Sequence, residues 1–304
     1  MNDHAEPDPA RLRGARWAVT GAAGRIGVHL RSALHELGVE LVSTDVVEVP
    51  PAAHAGTGPT TPERREVVDV ADLEALAGLF AGCDGVVHLG GLSDEADFHD
   101  LAAVNVVGTY HVLEAARRAG VGRVVFASSN RLTGSYDTDT TVDVGMPPRP
   151  DGFYGVSKVA GEALCRLYSD KFGLSTISVR IGSWGEAPED SRHLHTWLSR
   201  PDGVRAFVAA MTTDVHVAVF YAVSANSEGW WDLAAGEAVG FRPQDDASAV
   251  ADGPLPEPAG TVSPEAEGSA EGSAGMSAGR SAGQAGPQGG PFASSAFSLD
   301  RMTR

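Results

Sequence analysis

Tyr154 and Lys158 stand four residues apart in Tyr154-Gly155-Val156-Ser157-Lys158, a spacing that on a helix puts both side chains on one face, one turn apart. A phenol with a free pKa of about 10 is a poor base at neutral pH. A neighbouring ammonium stabilises the phenolate and lowers that value, so the pair suits removal of a proton from a hydroxyl undergoing oxidation. Ser128-Ser129-Asn130 closes the strand-like run RVVFASSN just upstream, which sets the pair beside the end of a strand. The chain writes its basic residues as 21 Arg and only two Lys, which makes a Lys one turn after this Tyr less ordinary than a solvated helix charge. The other, Lys171 in SDKFG, falls at a helix C-terminus, where a cation complements the helix dipole.

A second constellation lies near the N-terminus. Gly21-Ala22-Ala23-Gly24-Arg25-Ile26-Gly27 follows the β-rich run ARWAVTG and precedes the helical pattern GRIGVHLRSALHELG. Glycines in such a turn permit a tight bend, let the backbone approach a pyrophosphate and let the helix pack on the strand, with the helix N-terminus facing the phosphates. Asp45 ends the next strand, 24 residues after Gly21. A carboxylate there accepts hydrogen bonds from ribose hydroxyls and repels a 2′-phosphate, which favours NAD over NADP; Asp45 can also cap the following turn. Arg25 can meet a 2′-phosphate or contact the pyrophosphate. Asp69-Val70 and Leu89-Gly90-Gly91 close the third and fourth strand-like runs and should line the same carboxyl edge of the sheet.

The elements that must position these groups follow a regular rhythm. EVVDV precedes DLEALAGLFAG, GVVHLGG precedes FHDLAAVNVVGTYHVLEAARRAG, RVVFASSN precedes YGVSKVAGEALCRLYSDKFG, and STISVRIGS follows. Continuous apolar strands alternating with helices imply an α/β fold, a Rossmann-type doubly wound parallel sheet covered on both faces. The catalytic domain is expected over 14–250. Within it, 184–250 is less regular and suits a small substrate-covering segment better than another βαβ unit; Trp230, Trp231 and Phe220 read as packing and wall residues. Residues 1–13 read as a disordered extension. Ala251 to Gly290 holds 28 Gly, Ala, Ser or Pro in 40 residues, too little apolar surface to offset ordering entropy, so it reads as a mobile segment. Residues 291–304 follow, with Phe292, Phe297 and Leu299 able to dock back.

At 304 residues and 42% hydrophobic content the chain can bury one large core or two modest ones. A net charge of -17 makes phosphate backbones and anionic lipid surfaces poor partners. No run of 18 apolar residues is present and the first residues hold no hydrophobic stretch, so a cytoplasmic location is expected. Cys83 and Cys165 read as buried free thiols. His193, His195 and His216 lack metal-ligand spacing, so no metal is expected.

GAAGRIG, the Asn105 in AAVNVVGTYHVLEAA, FASSN and YGVSK together resemble the extended short-chain dehydrogenase/reductase family, also called the NAD-dependent epimerase/dehydratase family, over about residues 15–250. Within it, VHLGGLS, RPDGFYGVSK, VRIGS followed by Arg192 nine residues after Ser183, HTWLS, SANSEGWWD and the late QGGPF are similar in wording and spacing to the uronate dehydrogenases. The resemblance implies NAD as cofactor and a small sugar acid as substrate, oxidised at C1 to an aldarolactone. Tyr154 would be the base for the anomeric hydroxyl, Lys158 would hold the nicotinamide ribose, and Ser129 would hydrogen-bond the reacting oxygen. Ser93, Asn130, Ser183 and Arg192 fall where the sugar is held; Asn105, Ser128 and Ile181 fall around the cofactor. Arg192 also makes independent sense, because a guanidinium gripping a carboxylate by two hydrogen bonds selects acids over neutral sugars; as a surface residue it could instead pair with Glu189 or Asp190. One departure is Arg131, where that group carries His. A permanent cation there adds a second carboxylate contact or shortens the pocket, which bears on the preferred sugar. The resemblance also implies a homo-oligomer built through the helices that start near Phe98 and Tyr154. The rival readings are a nucleotide-sugar epimerase or dehydratase and a non-catalytic NAD(P)-sensing protein. Against the first, only about 65 ordered residues follow the sixth strand, and Ser129 is followed by Asn130 and Arg131, not by an acid.

Overall fold

Runs such as Val124-Val125-Phe126 have no polar face to offer water, and each of these residues is buried in the middle of the sheet. The computed structural model describes residues 8–52, 61–258, 286–294 and 297–298. Strands β1 (Arg16–Thr20), β2 (Glu40–Asp45), β3 (Glu63–Val67), β4 (Gly85–His88), β5 (Arg123–Ser129) and β6 (Ser175–Ile181) alternate with helices α1 (Arg25–Glu36), α2 (Leu73–Leu79), α3 (Phe98–Leu101), α4 (Gly108–Ala119) and α5 (Phe153–Phe172). A six-residue π-helical stretch, Ala102–Val107, joins α3 to α4 and contains Asn105. Gly120 and Gly173 end α4 and α5 in the left-handed conformation that glycine adopts without strain.

Beyond β6 the chain forms β7 (Ser183–Gly185), α6 (His193–Thr196), β8 (Trp197–Ser199), α7 (Arg200–Thr212) and β9 (Val217–Ala222). This corrects the expectation for 184–250. The region contributes a further βαβ crossover, since α7 carries the chain from the short β7–β8 pair to β9, which lies parallel to β6 as the seventh strand. Its first three residues are only half-buried, as befits an edge strand, and that blurs its apolar signal. β3 is likewise an edge strand of sequence ERREV, bonded to β2 alone. It ends at Val67, so Asp69 and Val70 lie just past it, where the sequence reading places them within the strand. Residues 8–13 also join the fold, unlike the unstructured extension expected over 1–13. Asp8 caps a turn of 3-10 helix, Pro9–Leu12, Leu12 is buried, and Arg11 pairs with Asp214 at 2.8 Å. Residues 1–7 lie outside the described residues, as does 259–285 of the expected mobile segment.

The strand order is β3-β2-β1-β4-β5-β6-β9, all parallel. One face packs Leu30 and Leu34 of α1 with Phe207 and Met211 of α7; the other packs Leu76, Val112, Leu113 and Cys165 of α2, α4 and α5. The order reverses between β1 and β4, which opens a crevice at their carboxyl ends, the place where open sheets of this kind bind ligands. Among the described residues no helix is long and apolar enough to cross a membrane.

Candidate active site

The crevice is a cleft of about 410 Å³. Gly21, Gly24, Arg25, Ile26 and Gly27 line it from the turn after β1, Asp45, Asp69 and Val70 from the end of β2 and just past β3, and Leu89, Gly90, Gly91 and Ser93 from the loop after β4. The glycines are steric requirements. Gly21 has φ +69°, and an added Cβ would lie 2.6 Å from Gly90 N; one at Gly27 would lie 2.4 Å from Gly21 O, so only glycine lets α1 seat this closely on β1. Asp45 Oδ2 accepts from Ala23 N–H at 3.0 Å and Oδ1 from Val46 N–H at 2.8 Å. The carboxylate is therefore held at the rim of the cleft by the turn itself, with lone pairs to spare. Arg25 stands exposed. Sequence reasoning missed Thr20, Val46 and Trp184, which also line the cleft; Trp184 follows directly on VRIGS and was within reach.

A chain of hydrogen bonds braces the loop after β4. Gly90 N–H donates to Thr20 Oγ1 at 3.2 Å, Thr20 Oγ1 and His88 Nδ1 are 2.8 Å apart, and His88 Nε2 is 3.1 Å from Thr109 Oγ1, which donates to Asn105 O at 2.5 Å. Burial, helped by the Lys158 charge, pushes His88 down to about 3, so it stays neutral. Asn105 Oδ1 accepts from Leu92 N–H at 2.8 Å while its amide donates to Leu92 O and Ser157 Oγ, each at 3.0 Å. Asn105 thus clips the loop to α5, and both of its donor hydrogens are used in doing so. Ser128 Oγ donates to Glu162 Oε1 at 2.6 Å, and Ile181 packs in the core at the end of β6.

α5 has no side-chain cap of its own at Gly152. Glu95, from the loop after β4, supplies it by accepting from Phe153 N–H at 2.7 Å and Tyr154 N–H at 3.2 Å. Tyr154 and Lys158 are both buried, with Lys158 Nζ 5.6 Å from the Tyr154 ring centroid and donating to Ala127 O at 3.0 Å. Against the lowering expected of the Tyr–Lys pair, burial pushes Tyr154 up to about 12, opposed by the Ser129 hydroxyl and the Arg131 charge. Burial brings Lys158 down to about 8, so its ammonium is still mostly charged at neutral pH. Asn130 is buried with no partner for Nδ2, an unmet donor on the same strand end as Ser129.

Arg131 is not free for a ligand's carboxylate. Its Nε donates to Asp151 Oδ1 at 2.7 Å, Nη1 reaches Asp94 at 3.2 Å and Nη2 lies 3.5 Å from Glu95. Its Cζ sits 4.3 Å from the Phe292 ring centroid and 5.5 Å from that of Tyr154. Arg131 therefore sits in an ion cluster with Asp94, Glu95 and Asp151 beside Tyr154. Sequence reasoning missed Asp94, Glu95 and Asp151, although the first two directly follow VHLGGLS and the third lies within RPDGFYGVSK. Arg192, by contrast, has no carboxylate within ion-pair distance among the described residues, including Glu189 and Asp190. Its Nη1 lies 3.5 Å from Ser183 Oγ, which also pairs with Thr196 Oγ1 at 2.7 Å. Burial lowers its pKa to about 10, with Asp151 pulling the other way. Residues 286–294 pack against the body of the protein. Of these, 291–294 belong to the stretch able to dock back, whereas 286–290, read from the sequence as part of the mobile segment, are instead held by backbone hydrogen bonds to Gly134, Tyr136 and Thr138. Leu299 lies outside the described residues. Gln288 is fully buried, its carbonyl accepts from Arg192 Nε at 2.8 Å, and Phe292 lies over Arg131 and Arg192.

A doubly wound sheet with a glycine turn at its switch point, and a buried Tyr–Lys pair on the helix after β5, defines a Rossmann-type protein of the extended short-chain dehydrogenase/reductase class. The chain belongs to the NAD-dependent epimerase/dehydratase family, whose model matches residues 17–201. A uronate dehydrogenase of Pseudomonas syringae pv. tomato is 40% identical over 231 residues, 76% of this chain and 82% of that one. An L-arabinose 1-dehydrogenase (NAD(P)+) of Haloferax volcanii is 36% identical over 269 residues, covering 78% of this chain and 99% of that one. A crystal structure of a uronate dehydrogenase variant from Agrobacterium tumefaciens, complexed with NAD, superposes with a TM-score of 0.75 at 36% identity, covering 92% of this chain and 97% of that one.

Proposed function

We propose that the protein is an NAD-dependent dehydrogenase that oxidises a cyclic uronic acid, galacturonate or glucuronate, at C1 to the aldarolactone. The observation that carries this reading is Arg192: a partly buried guanidinium without a carboxylate partner among the described residues, beside Ser183. Such a group is stabilised by an incoming carboxylate, and the relatives named for uronate support the same chemistry.

The cleft fits the cofactor. Gly21, Gly24 and Gly27 leave backbone room for a pyrophosphate at the α1 N-terminus, with Arg25 at the rim. Asp45 would accept from the adenosine ribose, and Asp69 and Val70 would flank the adenine. Leu89, Gly90 and Gly91, with the Ser128 backbone and Ile181, would lie along the nicotinamide half, and Asn105 holds that loop in place. When bound, NAD supplies the hydride acceptor.

The remaining work falls to the chain's own side chains. Lys158 would donate to the nicotinamide ribose and keeps a positive charge near Tyr154. Tyr154 Oη takes the proton of the C1 hydroxyl, aided by that charge, by Arg131 and by the Ser129 hydroxyl, which donates to the same oxygen. Asn130 Nδ2, Ser93 and Ser183 offer polar atoms to the sugar hydroxyls, and the terminal nitrogens of Arg192 grip the carboxylate. The protein assembles as a homo-oligomer, supported by the exposed Tyr110, Leu167 and Phe172 on α4 and α5.

Purified protein given NAD with galacturonate or glucuronate should generate NADH absorbance, and no rise with either sugar at high enzyme concentration refutes the reading. Tyr154→Phe should abolish turnover while NAD binding persists.

A further inference from the structure

We propose that Gln288 is a positioning residue that sets the site's preference for carboxylates by anchoring the segment that holds Arg192; this rests on the uronate reading above. Arg192 stands at the start of α6, a helix of only four residues, so its own element gives the long side chain little support. The segment 286–294 supplies what α6 lacks. Gln288 O accepts from Arg192 Nε at 2.8 Å, which leaves the two terminal nitrogens available. Gly290, at φ +55°, brings the chain close enough that an added Cβ would sit 3.4 Å from Arg192 Cδ.

The segment is in turn fastened to the loop after β5, the strand that carries Ser129. Gln288 Nε2 donates to Asp137 O at 3.2 Å and to Thr140 O at 2.8 Å. Gln288 N–H donates to Tyr136 O at 2.8 Å, Gly289 N–H to Gly134 O at 2.7 Å, and Thr138 N–H to Gly286 O at 2.8 Å. Gly289 also lies flat on Asp151, where a Cβ would come 2.6 Å from Oδ2, and Asp151 is the partner of Arg131. One short segment therefore ties the carboxylate-gripping arginine to the strand end that bears the reacting-oxygen contacts. An arginine fixed in advance loses less side-chain freedom when its ligand arrives, which strengthens binding without a new contact to the ligand.

Two full-length variants test this, after the wild type has been shown to turn over galacturonate. Gln288→Ala removes both side-chain donors but keeps the carbonyl, and Gly289→Ala pushes the segment off Asp151. Each should raise KM for galacturonate by about tenfold or more, with kcat within about twofold and NAD affinity unchanged. A merely structural role would move NAD affinity, kcat and melting temperature together. In the wild type, galacturonate with NADH should slow amide exchange at Gln288 and Gly289, because coupling between Arg192 and the segment is reciprocal. Unmoved KM in the folded variants, or unchanged exchange at these amides where a variant does not fold, overturns the proposal. A wild type that neither turns over nor binds galacturonate instead overturns the uronate reading, and this proposal with it, before any variant is made.

Discussion

Replacing Arg192 with Ala tests the carboxylate assignment most directly, because the structure says how many bonds the side chain has left to give. Nε is committed to Gln288 O, so two terminal nitrogens remain for a carboxylate. Hydrogen bonds to charged partners are worth about 1.5–3 kcal/mol each, so the pair contributes about 3–6 kcal/mol. The carboxylate must shed its own hydration to reach the guanidinium, which takes back some of this. The lower half of the range is therefore expected, about 3–4 kcal/mol, which is two to three orders of magnitude in kcat/KM at about 1.4 kcal/mol per factor of ten. The carboxylate of a hexuronate is remote from C1, so its grip should be equal in ground and transition states and the loss should fall on KM. Arg192→Lys should recover only part of it, because an ammonium cannot make the paired contact. The assay follows NADH with galacturonate and with galactose, the neutral sugar, for wild type and both variants. Arg131 keeps its partner Asp151 and its contact with Phe292, so the fold should hold. A loss of equal size for galacturonate and galactose would refute the reasoning, since an arginine that grips a carboxylate cannot matter to a sugar without one.

Asp45→Ser should raise the NADP-to-NAD ratio of kcat/KM by about tenfold or more, because a serine no longer repels a 2′-phosphate and exposed Arg25 stands nearby; an unchanged ratio excludes Asp45 as the determinant. Lys158, lowered by burial to about 8, is charged below that pH and neutral above it. NAD affinity should therefore weaken as pH rises through about 8, by up to about tenfold per unit, and Lys158→Met should flatten the dependence in a titration of cofactor binding. Arg31 is fully buried, pairs with Glu63 at 2.7 Å and donates to Ala22 O in the glycine turn. Arg31→Met leaves the Glu63 carboxylate with only Ser43 and His35 beside it, so thermal unfolding should show a loss of about 3 kcal/mol, and a loss under about 1 kcal/mol would contradict the pairing.

Much of the cofactor cleft was legible because its signals are local. A strand, a glycine turn and a helix in succession place Gly27 against Gly21 O with no help from distant residues, and an i,i+4 spacing is enough to bring Tyr154 and Lys158 onto one face. The edge strands were harder. ERREV and the half-buried start of β9 have polar residues where a central strand would have apolar ones, so hydrophobic pattern misplaced the first and overlooked the second.

The amino-acid sequence by itself determined the doubly wound sheet, the glycine turn and the reacting pair, because backbone sterics and periodicity act over a few residues and need only neighbours in the chain. Only the tertiary structure decided which charges are spent and which are free. Arg131 and Arg192 look alike in sequence, yet one is paired with Asp94, Glu95 and Asp151 while the other has no carboxylate partner among the described residues and reaches only Ser183 Oγ and Gln288 O. That difference arises from residues brought together across 37 positions, from Asp94 to Arg131, and across 96, from Arg192 to Gln288. Contacts of that range are selected by the burial and hydrogen bonding of the whole fold, which no local pattern encodes.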